Sequence, residues 1–122
     1  RYSVLSEVGM LPAELMGLDV TKFKQLNNLI RNKKFINSLI INVNNTLFFL
    51  KQKKFNSIIL NYDESSGNFF KWYQQLIAES LGKKGKGFLP VISNAPKDHH
   101  SLLQLYLDGP KDKLFYIFSF KK

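Results

Sequence analysis

Two short constellations in this chain hold side chains able to move protons. Gln75 and Glu79 stand four residues apart, so on a helix they share one face. A carboxylate there can act as a general base once something positions it, and a neighbouring amide can hold it or a bound hydroxyl. The plain alternative is a solvated acid on an outward face. The pair lies roughly opposite the apolar positions of the same stretch, and spacing by itself favours that alternative. The second constellation is Lys97-Asp98-His99-His100-Ser101. At a helix N-terminus the charged form of histidine is disfavoured, which keeps the ring neutral and able to accept a proton. Its plain counterpart is Asp98 as an N-cap followed by two incidental histidines.

Other chemistry is excluded or weak. Adjacent residues on a helix diverge by about 100°, so His99 and His100 cannot readily grip one metal, and no metal site is expected. There is no cysteine, hence no disulfide framework and no thiolate site. No nucleophile triad and no paired-carboxylate spacing appears. The run Gly82-Lys83-Lys84-Gly85-Lys86-Gly87 is basic and flexible but lacks the glycine spacing of a phosphate-cradling loop, and reads as a solvated turn.

Several elements must position these groups. Val4, Leu5, Val8, Leu11 and Leu15 recur at helical spacing, predicting a helix over residues 3–16 in which Pro12 forces a kink or break. Asp19 or Thr21 caps a second helix carrying Phe23, Leu26, Leu29 and Ile30, with Asn32 as its stop. Residues 35–51 are rich in β-branched side chains but too long for a strand without a turn signal, and read as a helix. Residues 55–62 form a compact apolar strand and 63–67 a loop. Asn68 then caps a helix to Leu81 whose apolar face is Phe69, Phe70, Tyr73, Leu76, Ile77 and Leu81, closed by Gly82. A strand over 88–92, a helix from Asp98 to Leu107 and a strand over 114–120 follow. Strands that are continuous apolar runs are covered on both faces, so the expected fold is α/β, a three-layer α-β-α sandwich with a mostly parallel sheet. Ligands of such sheets lie beyond the carboxyl ends of the strands, here 61–67, 93–100 and whatever follows Phe120.

The chain has 122 residues, enough for one domain with a real core, and 44% of them are hydrophobic, which rules out a disordered chain. No apolar run reaches the ~18 residues that span a bilayer, and no signal peptide opens the sequence. A cytosolic compartment is the default. The formal net charge of +9 admits an anionic partner, but lysines at element ends, where they suit helix C-termini, explain it more simply.

Three motifs go further. Arg1-Tyr2-Ser3-Val4-Leu5-Ser6 followed by Val8-Gly9-Met10-Leu11-Pro12 is similar to the phosphoglucose isomerase stretch GGRFSVLSxVGLLP. Gln74-Gln75-Leu76-Ile77-Ala78-Glu79-Ser80-Leu81-Gly82-Lys83 resembles that family's QQLxxES-x-GK helix. Asp98-His99-His100-Ser101, then Gln104-Leu105-Tyr106-Leu107-Asp108-Gly109-Pro110, resembles its QHS…QL…DGP segment. The motifs stand in the family's order and together cover nearly the whole chain.

The resemblance implies a flavodoxin-like sugar-isomerase domain, spanning 1–122 and belonging to a longer two-domain chain. It implies interconversion of glucose 6-phosphate and fructose 6-phosphate through an enediolate, in glycolysis and gluconeogenesis. By the same resemblance Glu79 is the base moving a proton between C1 and C2, Arg1 faces the enediolate charge, His100 assists ring opening, and Gln75 contributes to substrate binding. The family's histidine acts in the neighbouring subunit's site, which implies a homodimer. No metal or organic cofactor is implied, and no nucleic acid or membrane partner. His99 stands where the family usually has glutamine. The family's serine/threonine-rich phosphate segment and its C-terminal glutamine and lysine have no counterpart here, so this segment is expected to carry about half a site. Two rivals are a non-catalytic sugar-phosphate-binding module of the same fold, which would need neither Glu79 nor His100, and a nucleic-acid-binding domain. The second, motivated by the charge and by aromatics such as Phe69, Trp72 and Tyr73, is disfavoured because most of those aromatics fall on the expected buried stripe and no helix is evenly basic.

Overall fold

A computed structural model describes residues 4–120, and its contacts divide the chain into two compact units, one running to Thr46 and one beginning at Leu47. Arg1 lies outside the described residues.

The first unit is helical. Helix α1 (Glu7–Leu15) starts after Ser6, and Pro12 lies inside it without breaking it. The expected break does not occur because Pro12 removes one donor on a solvent-facing helix, where water can satisfy the carbonyl left over; Val8, one turn earlier, is exposed. Asp19 caps α2 (Val20–Lys24), accepting from the Thr21 backbone N–H at 3.0 Å. The Thr21 hydroxyl also donates to that carboxylate, and this bond foremost holds the Asp19 carboxyl below its usual range. The single second helix expected from the sequence is two: tighter i→i+3 bonds, Gln25 to Lys22 and Leu26 to Phe23, end α2 before α3 (Asn27–Arg31) begins. Asn32 stops α3 and also starts the next helix, since its Oδ1 accepts from Lys34 and Phe35 N–H at 3.0 and 3.2 Å.

That helix is α4 (Lys33–Lys51). Its polar residues bond back along their own backbone, Asn42 Nδ2 to the Ser38 carbonyl and Thr46 Oγ1 to the Asn42 carbonyl, both at 2.9 Å. This satisfies side chains that otherwise favour turns. None of its residues is buried, although Phe35, Leu39, Ile40, Ile41 and Val43 are large and apolar.

The second unit is an α/β sheet. Strands β1 (Asn56–Asn61), β2 (Leu89–Asn94) and β3 (Lys113–Phe118) are all parallel, in the order β2-β1-β3. Ile58 pairs with Val91 and Phe115, and Ile59 with Ile92 and Tyr116. Helix α5 (Gly67–Leu81) joins β1 to β2, and α6 (His99–Asp108) joins β2 to β3 across the centre of the sheet. The two crossovers step in opposite directions, so right-handed connections put their helices on opposite faces. Ring contacts agree: Phe70 of α5 meets Phe118 edge-on at 4.9 Å, while Tyr106 of α6 meets Phe115 at 5.3 Å, and residues 115 and 118 point to opposite faces of β3. Ile58 and Ile59 are both buried, one on each face. The fold is thus α/β with a parallel sheet between helices, as expected.

Three local expectations need correction. Asn68 does not cap α5: Asp63 first caps a short 3₁₀ turn (Glu64–Ser66) through the Ser65 N–H, and α5 already starts at Gly67. Asp98 precedes α6 without a side-chain cap; its carboxylate instead accepts from the Asn94 N–H at 2.7 Å, closing the turn after β2. The apolar stripe of α5 is narrower than its pattern suggests. Phe70 is buried and Tyr73, Leu76 and Ile77 half-buried, but Phe69, Trp72 and Leu81 are exposed. Phe69 and Trp72 pack edge-on against each other at 6.1 Å on the outer side, so the expectation that Phe69 belongs to the buried stripe does not hold.

Candidate active site

Gln75 and Glu79 sit on the outward side of α5, both exposed, and Gln75 Nε2 donates to Glu79 Oε1 at 3.0 Å. The adjacent Gln74 turns the other way, its Nε2 donating to the Pro90 carbonyl at 2.7 Å. Two successive glutamines thereby do different things: Gln74 fastens the helix to β2, and Gln75 fixes the carboxylate rotamer. The end of the helix is fixed too. Gly82 N donates to the Ala78 carbonyl at 3.1 Å, and a Cβ at Gly82 would come within 2.6 Å of that oxygen, so a side chain there would push α5 and its last turn apart. A carboxylate held by an amide on a rigid helix end can meet a C–H acid from solvent or from a facing surface.

His100, the second residue of α6, is exposed. His99 is half-buried: its ring meets Tyr62 edge-on at 5.7 Å, with Tyr62 OH 3.5 Å from Nε2. Of the two histidines, it is therefore His99 that packs into the fold and His100 that faces outward. Beneath them lies a polar floor missed by the reading of the sequence. Asn61 is 1% exposed; its Oδ1 accepts from Asp63 N–H at 3.1 Å and its Nδ2 reaches Asn94 Oδ1 at 3.4 Å. Both asparagines close apolar strands at their carboxyl ends, and that position was the one signal available for them.

Glu79 and His100 are not brought together within this chain. Because α5 runs back against the strands, its last turn lies at the amino edge of the sheet, whereas His100 opens α6 at the carboxyl edge. Strand and helix rises put these edges roughly 20 Å apart. Among the described residues no group of three or more His, Asp or Glu is placed to hold a metal. No helix of the described residues is long and apolar enough to cross a membrane.

No family model matches the chain. Curated proteins do. It is 38% identical over 128 aligned positions to the glucose-6-phosphate isomerase of Methanocaldococcus jannaschii, covering all of this chain and 32% of that protein. Identity is 34% to the proteins of the same name from Rubrobacter xylanophilus and Mycoplasmopsis pulmonis, over 96% and 91% of this chain and 28% and 27% of theirs. A crystal structure of a Thermus thermophilus protein described as hypothetical superposes with a TM-score of 0.65 at 28% identity, over 92% of this chain and 29% of that one. The chain spans about 30% of the length of the curated relatives it matches. Over that span, with the QQLIAES helix and the histidine-led α6 in place, it belongs to the glucose-6-phosphate isomerase family.

Proposed function

We propose that this chain supplies the proton-transfer part of a glucose-6-phosphate isomerase. Glu79 takes the proton from C2 of the open-chain aldose, forming an enediolate, and returns it to C1 to give the ketose. Gln75 holds the carboxylate and contacts substrate hydroxyls, Arg1 faces the enediolate charge, and His100 assists ring opening. The observation that carries the proposal is the Gln75–Glu79 hydrogen bond on an outward helix end, in the stretch that resembles the family's QQLxxES helix. That geometry suits a base waiting for a substrate better than a surface acid, because the amide restricts a carboxylate that solvent would leave mobile.

The separation of Glu79 from His100 fits the same proposal if each serves a different site. In a two-fold dimer, Glu79 of one protomer and His100 of its partner would complete one site, and the reciprocal pair the other. The substrate is a sugar phosphate, its phosphate held by residues outside this chain. The reaction needs only positioning and charge stabilisation, so no cofactor enters.

The test is made in a chimera in which this chain replaces the matching segment of the Methanocaldococcus jannaschii isomerase. Glu79→Gln keeps the shape and removes the base, and should cut kcat by roughly 10²–10⁴ with little change in substrate affinity. Turnover like that of the unsubstituted chimera would remove Glu79 from the mechanism.

A further inference from the structure

The lysine–glycine run after α5 is unused by the isomerase proposal, and the structure gives it a shape that a solvated turn does not need. It forms one wall of an open pocket of about 530 Å³ at the amino edge of the sheet, within the range of small-molecule sites. Gly82, Gly85, Lys86 and Gly87 line that wall, and Phe55, Phe88, Leu89 and Pro90 supply an apolar one. Lys84 has φ 53° and Gly85 φ 68°, two consecutive residues in the left-handed region, and Gly87 has φ 111°. A lysine in that region is strained, and such strain persists where the surroundings impose it, commonly at ligand clamps.

The loop also leaves donors unused. The backbone N–H groups of Lys84, Gly85, Gly87 and Phe88 donate no hydrogen bond among the described residues, although Gly87 and Phe88 are half-buried. Amides left without a protein partner are open to water or a ligand, and successive amides in left-handed turns form concavities that take anions. Three ammonium groups, Lys83, Lys84 and Lys86, stand on the same six-residue loop, with no ion pair among the described residues. Against an anion stand the carboxyl end of α5 and Glu79 on its last turn; Asp112, which accepts from the lining residue Asn56, is already neutralised by Lys113 at 2.8 Å. A side chain at Gly87 would fill the cradle, its Cβ coming within 2.9 Å of the Leu81 carbonyl oxygen.

We infer that this pocket is a binding site for the phosphoryl group of a small anionic metabolite, cradled by the Gly85, Gly87 and Phe88 amides and by Lys86, with Lys83 and Lys84 adding charge from the same loop. It does not rest on the isomerase proposal and stands or falls separately. The experiment is a titration of the 122-residue chain with inorganic pyrophosphate, followed by ¹⁵N-resolved amide shifts. Saturable shifts confined to residues 84–88 are expected. Replacing Lys83, Lys84 and Lys86 together by serine should weaken binding roughly tenfold or more, since charged hydrogen bonds are lost. Removing the same charge elsewhere, by Lys33→Ser, Lys34→Ser and Lys71→Ser, should leave it within about twofold. Shifts that spread over all lysine-rich segments without saturating, or equal losses in the two triple variants, would overturn the inference. The pattern in the unsubstituted chain decides even if the loop variant fails to fold.

Discussion

Asn61 shows how one buried polar residue can organise the carboxyl edge of this sheet. Its Oδ1 holds the Asp63 N–H and its backbone carbonyl accepts from Ala95 N–H at 2.8 Å, so the chain leaving β1 and the chain leaving β2 are tied to one residue. Asn61→Ala should strand the Asp63 amide and cost about 1–3 kcal/mol, read as a lowered urea midpoint without a change in the slope of the transition. An unchanged midpoint would mean that water replaces the amide at no cost. Glu79 is the contrasting case at the same scale. Its place on an outward helix face was legible from the four-residue spacing, but its meaning was not, because periodicity treats a solvated acid and a catalytic base alike. The motif around it and its hydrogen bond to Gln75 are what favour the base. Asn61 was illegible for the opposite reason, since a polar residue ending an apolar run looks like the start of a loop.

Among the elements, α5 does most to position the candidate site, and its hold on the sheet is unequal along its length. Phe70 packs on Phe118, Gln74 bonds to Pro90, and Tyr73 is half-buried. Burial, and secondarily the nearby Tyr116, raises the Tyr73 phenol above its ordinary 10.0. The sign follows directly. A folded-state value above the unfolded one means that the unfolded chain loses the proton first, so the stabilisation is whole below about pH 10 and falls away above it. Denaturation midpoints should therefore drop between about pH 9 and pH 11, and Tyr73→Phe should lessen that drop; an equal drop in both proteins would exclude Tyr73 as the cause. The element types and their order were legible here because each apolar run had a length suited to only one kind of element. The ends were not. Asp63, Asn68 and Asp98 are all sound cap residues by type, and which of them caps depends on turns that bring a remote N–H, such as that of Asn94, within reach.

At the scale of the molecule, the described residues expose an unusual amount of large apolar surface: Leu15 is 80% exposed, Ile117 75%, and no residue of α4 is buried. Large contiguous apolar patches mark interaction sites in general. The relatives are about three times as long, and the site proposed here is incomplete in this segment. The chain by itself should thus show negligible conversion of fructose 6-phosphate to glucose 6-phosphate in a coupled assay; robust turnover would contradict the half-site view. Sheet direction also bears on what the motifs only imply. Parallel strands force α5 and α6 to present Glu79 and His100 at opposite edges, so two residues that the sequence placed in one mechanism must meet through a second copy or not at all.

That meeting is the most direct thing to measure. The chimeric isomerase is made in two inactive forms, Glu79→Gln and His100→Ala, and the two are mixed under conditions that let protomers exchange. In each mixed dimer one site keeps both an intact Glu79 and an intact His100, so activity should return to about one quarter of the unsubstituted level at equal amounts. If the mixture stays as inactive as its components while mixed dimers demonstrably form, Glu79 and His100 do not share a site across protomers, and the account is wrong.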